Sequence, residues 1–151
     1  MKKYIYYFIF ITIGIFNFEM MNGQDLKKYK WENRILIIQS EKEIATKYQL
    51  QIEEFDSSDE EFRERKLILF QVIGQKYTAN DFLEKSKNLE WKMIDKTHET
   101  FLSDKDTFRI VLIGLDGNIK LDKTDILTKQ ELFDLIDSMP MRKLELNQKK
   151  H

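Results

Sequence analysis

The chain has 151 residues, which is the usual length of one domain, and its 42% hydrophobic content is enough for a buried core. Its 25 basic and 26 acidic residues leave a net charge of −1, which gives no electrostatic basis for binding nucleic acid. The chain contains no cysteine. Disulfides, a lipoprotein anchor and every thiol-based reaction are therefore excluded.

The N-terminus has the organisation of a secretory signal peptide. Two lysines open the chain, residues 4–18 are mostly apolar, and Gly23 offers the small residue that a cleavage site needs. The sequence therefore predicts a signal peptide over residues 1–23 and an exported domain over residues 24–151, in the periplasm or secreted. Met21 is bulkier than the residue preferred three positions before cleavage, so an uncleaved membrane anchor stays open.

The first half of the exported chain predicts a βαβ unit. Apolar runs within residues 33–39 and 67–73 are typical of strands buried on both faces. Between them, Ser-Glu-Lys-Glu at residues 40–43 has the form of a capping box, and apolar residues at helical spacing follow it. We predict a helix over residues 41–55 and a right-handed parallel crossover between the two strands. The charged residues 60–66 are compatible with a further helical turn.

The middle of the chain is harder to interpret. Thr-Ala-Asn-Asp at residues 78–81 is compatible with the cap of a short helix that carries Phe82, Leu83 and Leu89. A second helical piece is predicted near residues 96–102. Connections of this length often carry function, so residues 75–107 form a candidate cleft.

The last part predicts a hairpin followed by a helix. Asp116 and Gly117 form a turn signal between strands at residues 108–115 and 118–122. Thr-Lys-Gln-Glu at residues 128–131 is a second capping box, and Pro140 ends the helix that it opens. The remaining tail is predicted to fray at its end.

These elements define an α/β fold class in which a βαβ unit is followed by a ββα unit. The predicted sheet has four strands in the order 67–73, 33–39, 108–115, 118–122. The first pair is parallel, the other pairs are antiparallel, and helices lie on the faces of the sheet. This is the minimal thioredoxin-like arrangement.

Three stretches of the chain resemble a domain-of-unknown-function family of exported bacterial proteins, whose domain also occurs in vertebrate extracellular sushi-repeat and coiled-coil-domain proteins. The most specific stretch is Ile-Asp-Ser-Met-Pro-Met-Arg at residues 136–142. The others are Ile-Gly-Leu-Asp-Gly-Asn-Ile-Lys at residues 113–120 and Trp-Glu-Asn-Arg-Ile-Leu at residues 31–36, with Glu64 and Arg65 in the middle of the chain. The resemblance implies a thioredoxin-like, peroxiredoxin-related fold and gives no reaction.

The chain departs from the redox-active members of that superfamily at two places. Residues 39–42 read Gln-Ser-Glu-Lys where those members carry cysteine after the first strand. Residues 106–108 read Asp-Thr-Phe, without the proline that thioredoxins place before the third strand. The superfamily's chemistry therefore does not carry over to this chain.

Candidate chemical sites are few, and most have a simpler explanation. His98 with its acidic neighbours at residues 99, 104 and 106 lacks the spacing of a metal site and is better interpreted as a charged connection. Ser40 lacks a nearby base, so helix capping explains it better than nucleophilic chemistry. The acidic residues between 56 and 61 lack a calcium-loop pattern. We predict no catalytic residue, no metal and no cofactor.

A set of charged residues near strand and helix ends is the main candidate binding surface. They are predicted to gather at one end of the sheet as an anion or partner site, or else to form ordinary salt bridges: Arg34, Arg65, Asp116, Lys120, Asp137 and Arg142. We further predict that Arg142 is held by Asp137 or Asp116, and that Met139 and Met141 fill gaps in the core.

Two functions stay open at this point. The first is a redox-inactive binding or structural module of the cell envelope, whose partner would be an envelope or extracellular protein. The second is an enzyme that uses non-thiol acid–base chemistry in the cleft of residues 75–107. Neither function involves nucleic acid, and contact with a membrane is expected only through an uncleaved leader.

Overall fold

Two continuous apolar runs form the centre of a mixed α/β structure. The computed structural model describes residues 26–83, 89–94 and 107–148. Over these ranges the chain forms six strands and four helices, which are β1 (Arg34–Ser40), α1 (Thr46–Glu54), α2 (Asp59–Glu64), β2 (Leu67–Ile73), β3 (Lys76–Asn80), β4 (Lys92–Met93), β5 (Phe108–Ile113), β6 (Ile119–Lys123), α3 (Lys129–Ser138) and α4 (Pro140–Gln148).

The strands form one mixed sheet in the order β4-β3-β2-β1-β5-β6. β1 and β2 are parallel, with Arg34 opposite Leu67, and every other neighbouring pair is antiparallel. The predicted order and direction of the four strands β2, β1, β5 and β6 are confirmed. The predicted strand count is wrong, because β3 and β4 extend the sheet beyond β2.

Alternate residues of the central strands bury two separate apolar layers. Leu36 and Ile38 belong to the layer that packs against α1, α2 and α3. Ile35 and Ile37 belong to the opposite layer, which Leu26, Tyr29, Tyr77 and Ile94 cover. We call these the helix face and the second face of the sheet. Because β1 is buried on both faces, its residues 35–38 are continuously apolar rather than alternating.

The helix after β1 begins later than predicted. Ser40 is the last residue of β1, where it pairs with Ile73 and Phe108, and its Oγ donates to the carbonyl of Lys42 at 2.8 Å. α1 starts at Thr46 with no side-chain cap. The predicted capping box at residues 40–43 is therefore wrong, because extension of the sheet competes with helix initiation for the backbone of Ser40.

The middle segment forms a strand where a capped helix was predicted. β3 turns back from β2 through Gly74, whose φ of +56° favours glycine, and runs antiparallel to β2. Residues 78–80 therefore lie in a strand, although Asn80 does accept a hydrogen bond from the amide of Phe82 at 2.8 Å. The helical piece predicted near residues 96–102 lies outside the described residues.

The C-terminal part contains one more helix than predicted. Thr128 caps α3 as predicted, since its Oγ1 accepts from the amide of Glu131 at 3.2 Å. α3 ends at Ser138, as expected from Pro140. Pro140 is then the first residue of α4, a position at which the backbone N–H has no partner in the helix, so proline loses no helical hydrogen bond there. Met139 packs against the core, whereas Met141 is 42% exposed, so the predicted burial of Met141 is wrong.

Candidate functional site

Arg142 lies at the start of α4 and is almost completely buried, with 1% of its surface exposed. Its Nε contacts Asp137 Oδ1 at 3.1 Å, and its Nη2 contacts Glu64 Oε1 at 2.9 Å. Its Nη1 donates to the backbone carbonyl of Glu64 at 3.1 Å. The side chain therefore joins the end of α3 to the end of α2. The predicted pairing of Arg142 with Asp137 is present.

Two further arginines complete this network. Arg65 Nη2 contacts Asp137 Oδ2 at 2.6 Å, so the two oxygens of Asp137 bind different guanidinium groups. Arg34, which is 1% exposed, donates to the carbonyl of Arg65 at 2.9 Å and contacts Glu145 on α4 at 3.3 Å. We call this set the arginine cluster: Arg34, Glu64, Arg65, Asp137, Arg142 and Glu145.

The cluster's electrostatics indicate a structural role. Burial raises the pKa of Asp137, but hydrogen bonds and positive charge from Arg65 and Arg142 outweigh it and hold the pKa below its usual value. Burial lowers the pKa of Arg142, and its bonds to Glu64, Asp137 and Glu145 more than reverse that effect. Three guanidinium groups face three carboxylates, and Lys66 lies 3.8 Å from Glu145 at the edge of the cluster. The guanidinium groups are engaged with carboxylates and backbone carbonyls inside the cluster, which favours the salt-bridge interpretation.

Asp116 and Lys120 form a separate pair. Asp116 lies in the turn between β5 and β6, and its Oδ2 accepts from Lys120 Nζ at 2.7 Å. Burial raises its pKa, but hydrogen bonds from Lys120 and Asn118 lower it to about 2. β5 ends opposite the start of β1, so this turn lies at the same end of the sheet as Arg34. Asp116 is not the partner of Arg142, and that predicted alternative is wrong.

The end of β1 carries no assembled nucleophile among the described residues around it. Ser40 is fully buried and its hydroxyl is engaged with Lys42. Gln39, the residue before it, is also buried, and its amide makes no hydrogen bond. Nearby, the hydroxyl of Tyr48 donates to Gln71 Oε1 at 2.7 Å. Burial and the negative charge of Glu43 raise the pKa of Tyr48 to about 12, so its phenol stays protonated.

A groove opens on the second face of the sheet, beside β3. Its volume is about 430 Å³, within the range of small-ligand sites. Tyr77 and Ala79 lie on this face because they pair with Val72 and Phe70, which belong to the second-face layer. The lining residues, most of which fall in the predicted cleft of residues 75–107, are Tyr29, Ile68, Tyr77, Ala79, Asn80, Asp81, Leu83, Leu89, Glu90 and Lys92.

The aromatic walls of the groove are held in place by a buried ring. Phe70 stacks on Tyr77, with ring centroids 6.3 Å apart, and meets Tyr29 edge-on at 5.9 Å. Both tyrosines are only partly buried. Tyr29 precedes β1, and no pattern in the sequence linked it to β3. The groove is therefore built from parts of the chain that are distant in sequence.

The described residues hold neither a metal cluster nor a membrane-spanning helix. Within residues 26–83, 89–94 and 107–148, no three acidic or histidine side chains are grouped to bind an ion. In the same ranges, no helix is long and apolar enough to cross a bilayer. His98 and its acidic neighbours lie outside the described residues.

The described residues define a mixed α/β fold with a polar–aromatic groove beside β3. A family model described as a domain of unknown function, DUF4174, matches residues 25–145. The chain belongs to this family, and the predicted membership of a domain-of-unknown-function family is confirmed. No curated protein and no solved structure matches the chain.

Proposed function

We propose that this chain is an exported, redox-inactive binding module built on a thioredoxin-like scaffold, with the groove beside β3 as its binding surface. The βαβ unit, the later ββα unit and the strand order β2-β1-β5-β6 support the thioredoxin-like assignment. The leader-like residues 1–23 support export. The absence of cysteine from the whole chain excludes the thiol chemistry of that superfamily.

The single observation that carries the binding role is the groove itself. Two tyrosines and the small side chain of Ala79 line a space of about 430 Å³, with Asp81, Glu90 and Lys92 at its border. Aromatic walls with a few polar groups are typical of ligand sites. The arginine cluster, in contrast, is engaged in its own ion pairs, and its role in this proposal is to hold α4 against the end of the sheet.

A comparison of two matched variants tests the proposal. Ala79 is exposed on β3, so Ala79→Arg places a long side chain in the groove without disturbing the core. Ile119→Arg makes the same kind of change on β6, at the opposite edge, where Ile119 is 42% exposed. Envelope extract passed over immobilised wild type, Ala79→Arg and Ile119→Arg should show a partner that only Ala79→Arg fails to retain.

Retention of the same partners by all three proteins would show that the groove is not the binding surface. The alternative of an acid–base enzyme stays a hypothesis, and it would use Asp81 and Glu90 of the same groove. Chemical alteration of the partner after incubation with wild type, but not with Ala79→Arg, would favour the enzyme.

A further inference from the structure

Trp31 is exposed and lies in a backbone conformation that bulky residues rarely adopt. Its surface is 60% exposed, and its φ is +71°, in the left-handed region that favours glycine. Its amide donates to the carbonyl of Leu115 at 2.7 Å, which fixes this turn just beyond the end of β5. The stem of Lys30 passes over Gly117, where a Cβ would lie 3.4 Å from Lys30 Cδ. The fold therefore holds a large ring in solvent on a strained backbone, and strain of this kind is typical of functional sites.

Three exposed lysines lie just before this ring in the chain: Lys27, Lys28 and Lys30. Lys30 Nζ lies 5.5 Å from the centroid of the Trp31 ring, and Lys28 Nζ lies 4.9 Å from the centroid of the Tyr29 ring. Within the described part of the chain, none of the three lysines forms an ion pair with a carboxylate. Their charges are therefore available to an anion outside the molecule. We call residues 27–31 the lysine–tryptophan segment.

The charges next to this segment pair with one another. Asp116 contacts Lys120 at 2.7 Å, and Lys66 lies 3.8 Å from Glu145. Within residues 26–33, three lysines stand against one glutamate, which gives a local net charge of +2. The whole chain has a net charge of −1. Positive charge is therefore concentrated beside the exposed ring.

We propose that the lysine–tryptophan segment docks the folded chain on a bilayer that contains anionic lipids. Tryptophan is favoured at the boundary between lipid tails and water, because its ring is apolar and its indole N–H is polar. Lysines are attracted by the negative surface potential of such a bilayer, and their long stems keep the ammonium groups at the level of the headgroups. This contact is made by the fold itself, whereas the sequence predicted membrane contact only through an uncleaved leader. It does not rest on the groove.

The position of the segment in the chain favours a lipid surface over a protein partner. The segment follows the apolar stretch of the leader, residues 4–18, after a short connection. Cleavage after Gly23 makes it the first part of the exported fold, and an uncleaved leader would tether it beside the bilayer. In both cases it is the part of the described fold that lies nearest to the leader in sequence.

Co-sedimentation with lipid vesicles tests the docking. The protein is the chain of residues 24–151, which lacks the apolar leader and contains every described strand and helix. One set of vesicles contains equal parts of phosphatidylglycerol and phosphatidylcholine, and the other contains phosphatidylcholine alone. We expect binding to the anionic vesicles to be more than about tenfold tighter at roughly 0.1 M salt, and the difference to disappear at roughly 0.5 M salt.

Two triple variants of equal charge test the role of the lysines. The first combines Lys27→Gln, Lys28→Gln and Lys30→Gln. Each lysine near an anionic surface strengthens binding by roughly fivefold, so this variant should bind anionic vesicles no better than neutral ones. The second variant removes the same charge from other surfaces and should lose less than about threefold in binding. It combines Lys42→Gln, Lys129→Gln and Lys143→Gln.

Trp31→Gly separates docking from folding. Glycine adopts a φ of +71° without strain, and most of the Trp31 ring is exposed, so the Tm should stay within about 3 °C of the wild type. Binding to anionic vesicles should become about tenfold weaker. In Trp91→Phe, Trp31 is the only tryptophan, and its emission should shift to shorter wavelength on anionic vesicles as the ring leaves water.

Four results would contradict the docking. They are equal binding to neutral and anionic vesicles, no binding up to about 5 mM lipid, equal losses in the two triple variants, and an unchanged emission of Trp31 on bound vesicles. A Tm lower by about 10 °C in Trp31→Gly would show that the ring stabilises the fold instead. If Trp31→Gly loses an envelope protein while the wild type binds no vesicles, the segment is a protein-binding surface and the lipid assignment is wrong.

Discussion

Arg142 and Asp137 form an ion pair, with Nε and Oδ1 3.1 Å apart, across the junction between α3 and α4. Pro140 lies between them and ends one helix while it begins the next. The other oxygen of Asp137 binds Arg65, which directly precedes the β2 region. One carboxylate therefore fixes the angle between two helices and anchors both to the sheet. The Met-Pro-Met-Arg sequence at residues 139–142 therefore forms the junction between α3 and α4.

Removal of the Arg142 side chain should destabilise the protein strongly. Arg142→Ala removes the buried guanidinium that donates to Asp137, to Glu64 and to the carbonyl of Glu64, while Arg65 still binds the other oxygen of Asp137. We expect a loss of about 3 kcal/mol in the free energy of unfolding, with a Tm roughly 10 °C lower. Thermal unfolding followed by circular dichroism measures both.

Lys143→Ala is the matched control, because Lys143 is the exposed neighbour of Arg142 on α4. Its Tm should stay within about 2 °C of the wild type. An unchanged Tm in Arg142→Ala, combined with loss of an envelope partner, would assign Arg142 to a binding surface instead.

A second buried side chain bridges two elements. Gln51 on α1 donates to the carbonyl of Leu127 at 2.8 Å and accepts from its amide at 2.7 Å, so it satisfies the backbone just before α3. Gln51→Met keeps the volume but removes both bonds. We expect a loss of about 2–4 kcal/mol in denaturant unfolding. Gln49→Met makes the same change on an exposed side chain and should cost about 0.5 kcal/mol or less. Equal losses in the two variants would contradict this account of Gln51.

The Asp116–Lys120 pair should make part of the stability depend on pH. The pKa of Asp116 is about 2 in the fold, against an ordinary 3.8, so the unfolded chain binds its proton first as the pH falls. The stabilisation is complete above pH 3.8 and is lost as the pH falls through about 2. Lys120→Gln should raise the pKa of Asp116 toward its ordinary value, which carboxyl NMR titration measures. A wild-type midpoint already near 3.8 would contradict the pairing.

The predicted cleavage of the signal peptide can be tested by measuring the mass of the exported protein. Expression of the full chain in a bacterial host should yield an exported species that begins at Gln24, because the apolar stretch at residues 4–18 is followed by a small residue at Gly23. Intact-mass analysis of the exported fraction decides this. A mature species that retains residues 4–18 would instead indicate an uncleaved anchor.

The central strands were predictable because a strand that is buried on both faces has a continuous run of apolar residues in its sequence. β2 was predicted with its observed bounds, and the Asp116–Gly117 turn gave the antiparallel return of β6. β3 was not predicted, because Lys-Tyr-Thr-Ala-Asn has one buried residue and mostly partly exposed neighbours. A strand of that kind depends on pairing with β2, which sequence periodicity does not reveal. The predicted helix start at residues 40–43 was wrong for a related reason. Ser40 pairs with Ile73 and Phe108, and this pairing extends β1 through the residue that was expected to cap the helix.

The candidate sites were predictable only in part. The sequence grouped Arg34, Arg65, Asp137 and Arg142, which the fold brings together, but it also included Asp116 and Lys120, which pair with each other. Glu64 and Glu145 were missed as partners, because α4 was not expected to form. The groove requires Tyr29 and Tyr77 to lie close together, and both rings contact Phe70. Tyr29 is distant from the other two in sequence, so no sequence spacing predicts this contact.

Hydrogen–deuterium exchange of the wild-type chain, free and in complex with a protein that it retains from envelope extract, tests the groove most directly. We expect slower amide exchange at residues 77–81 and 89–92, because the bound partner covers the groove. Exchange in α4 and in the turn at residues 114–118 should be unchanged. Protection centred on α4 or on that turn, with residues 77–81 exchanging as in the free chain, would contradict the assignment of the groove as the binding surface.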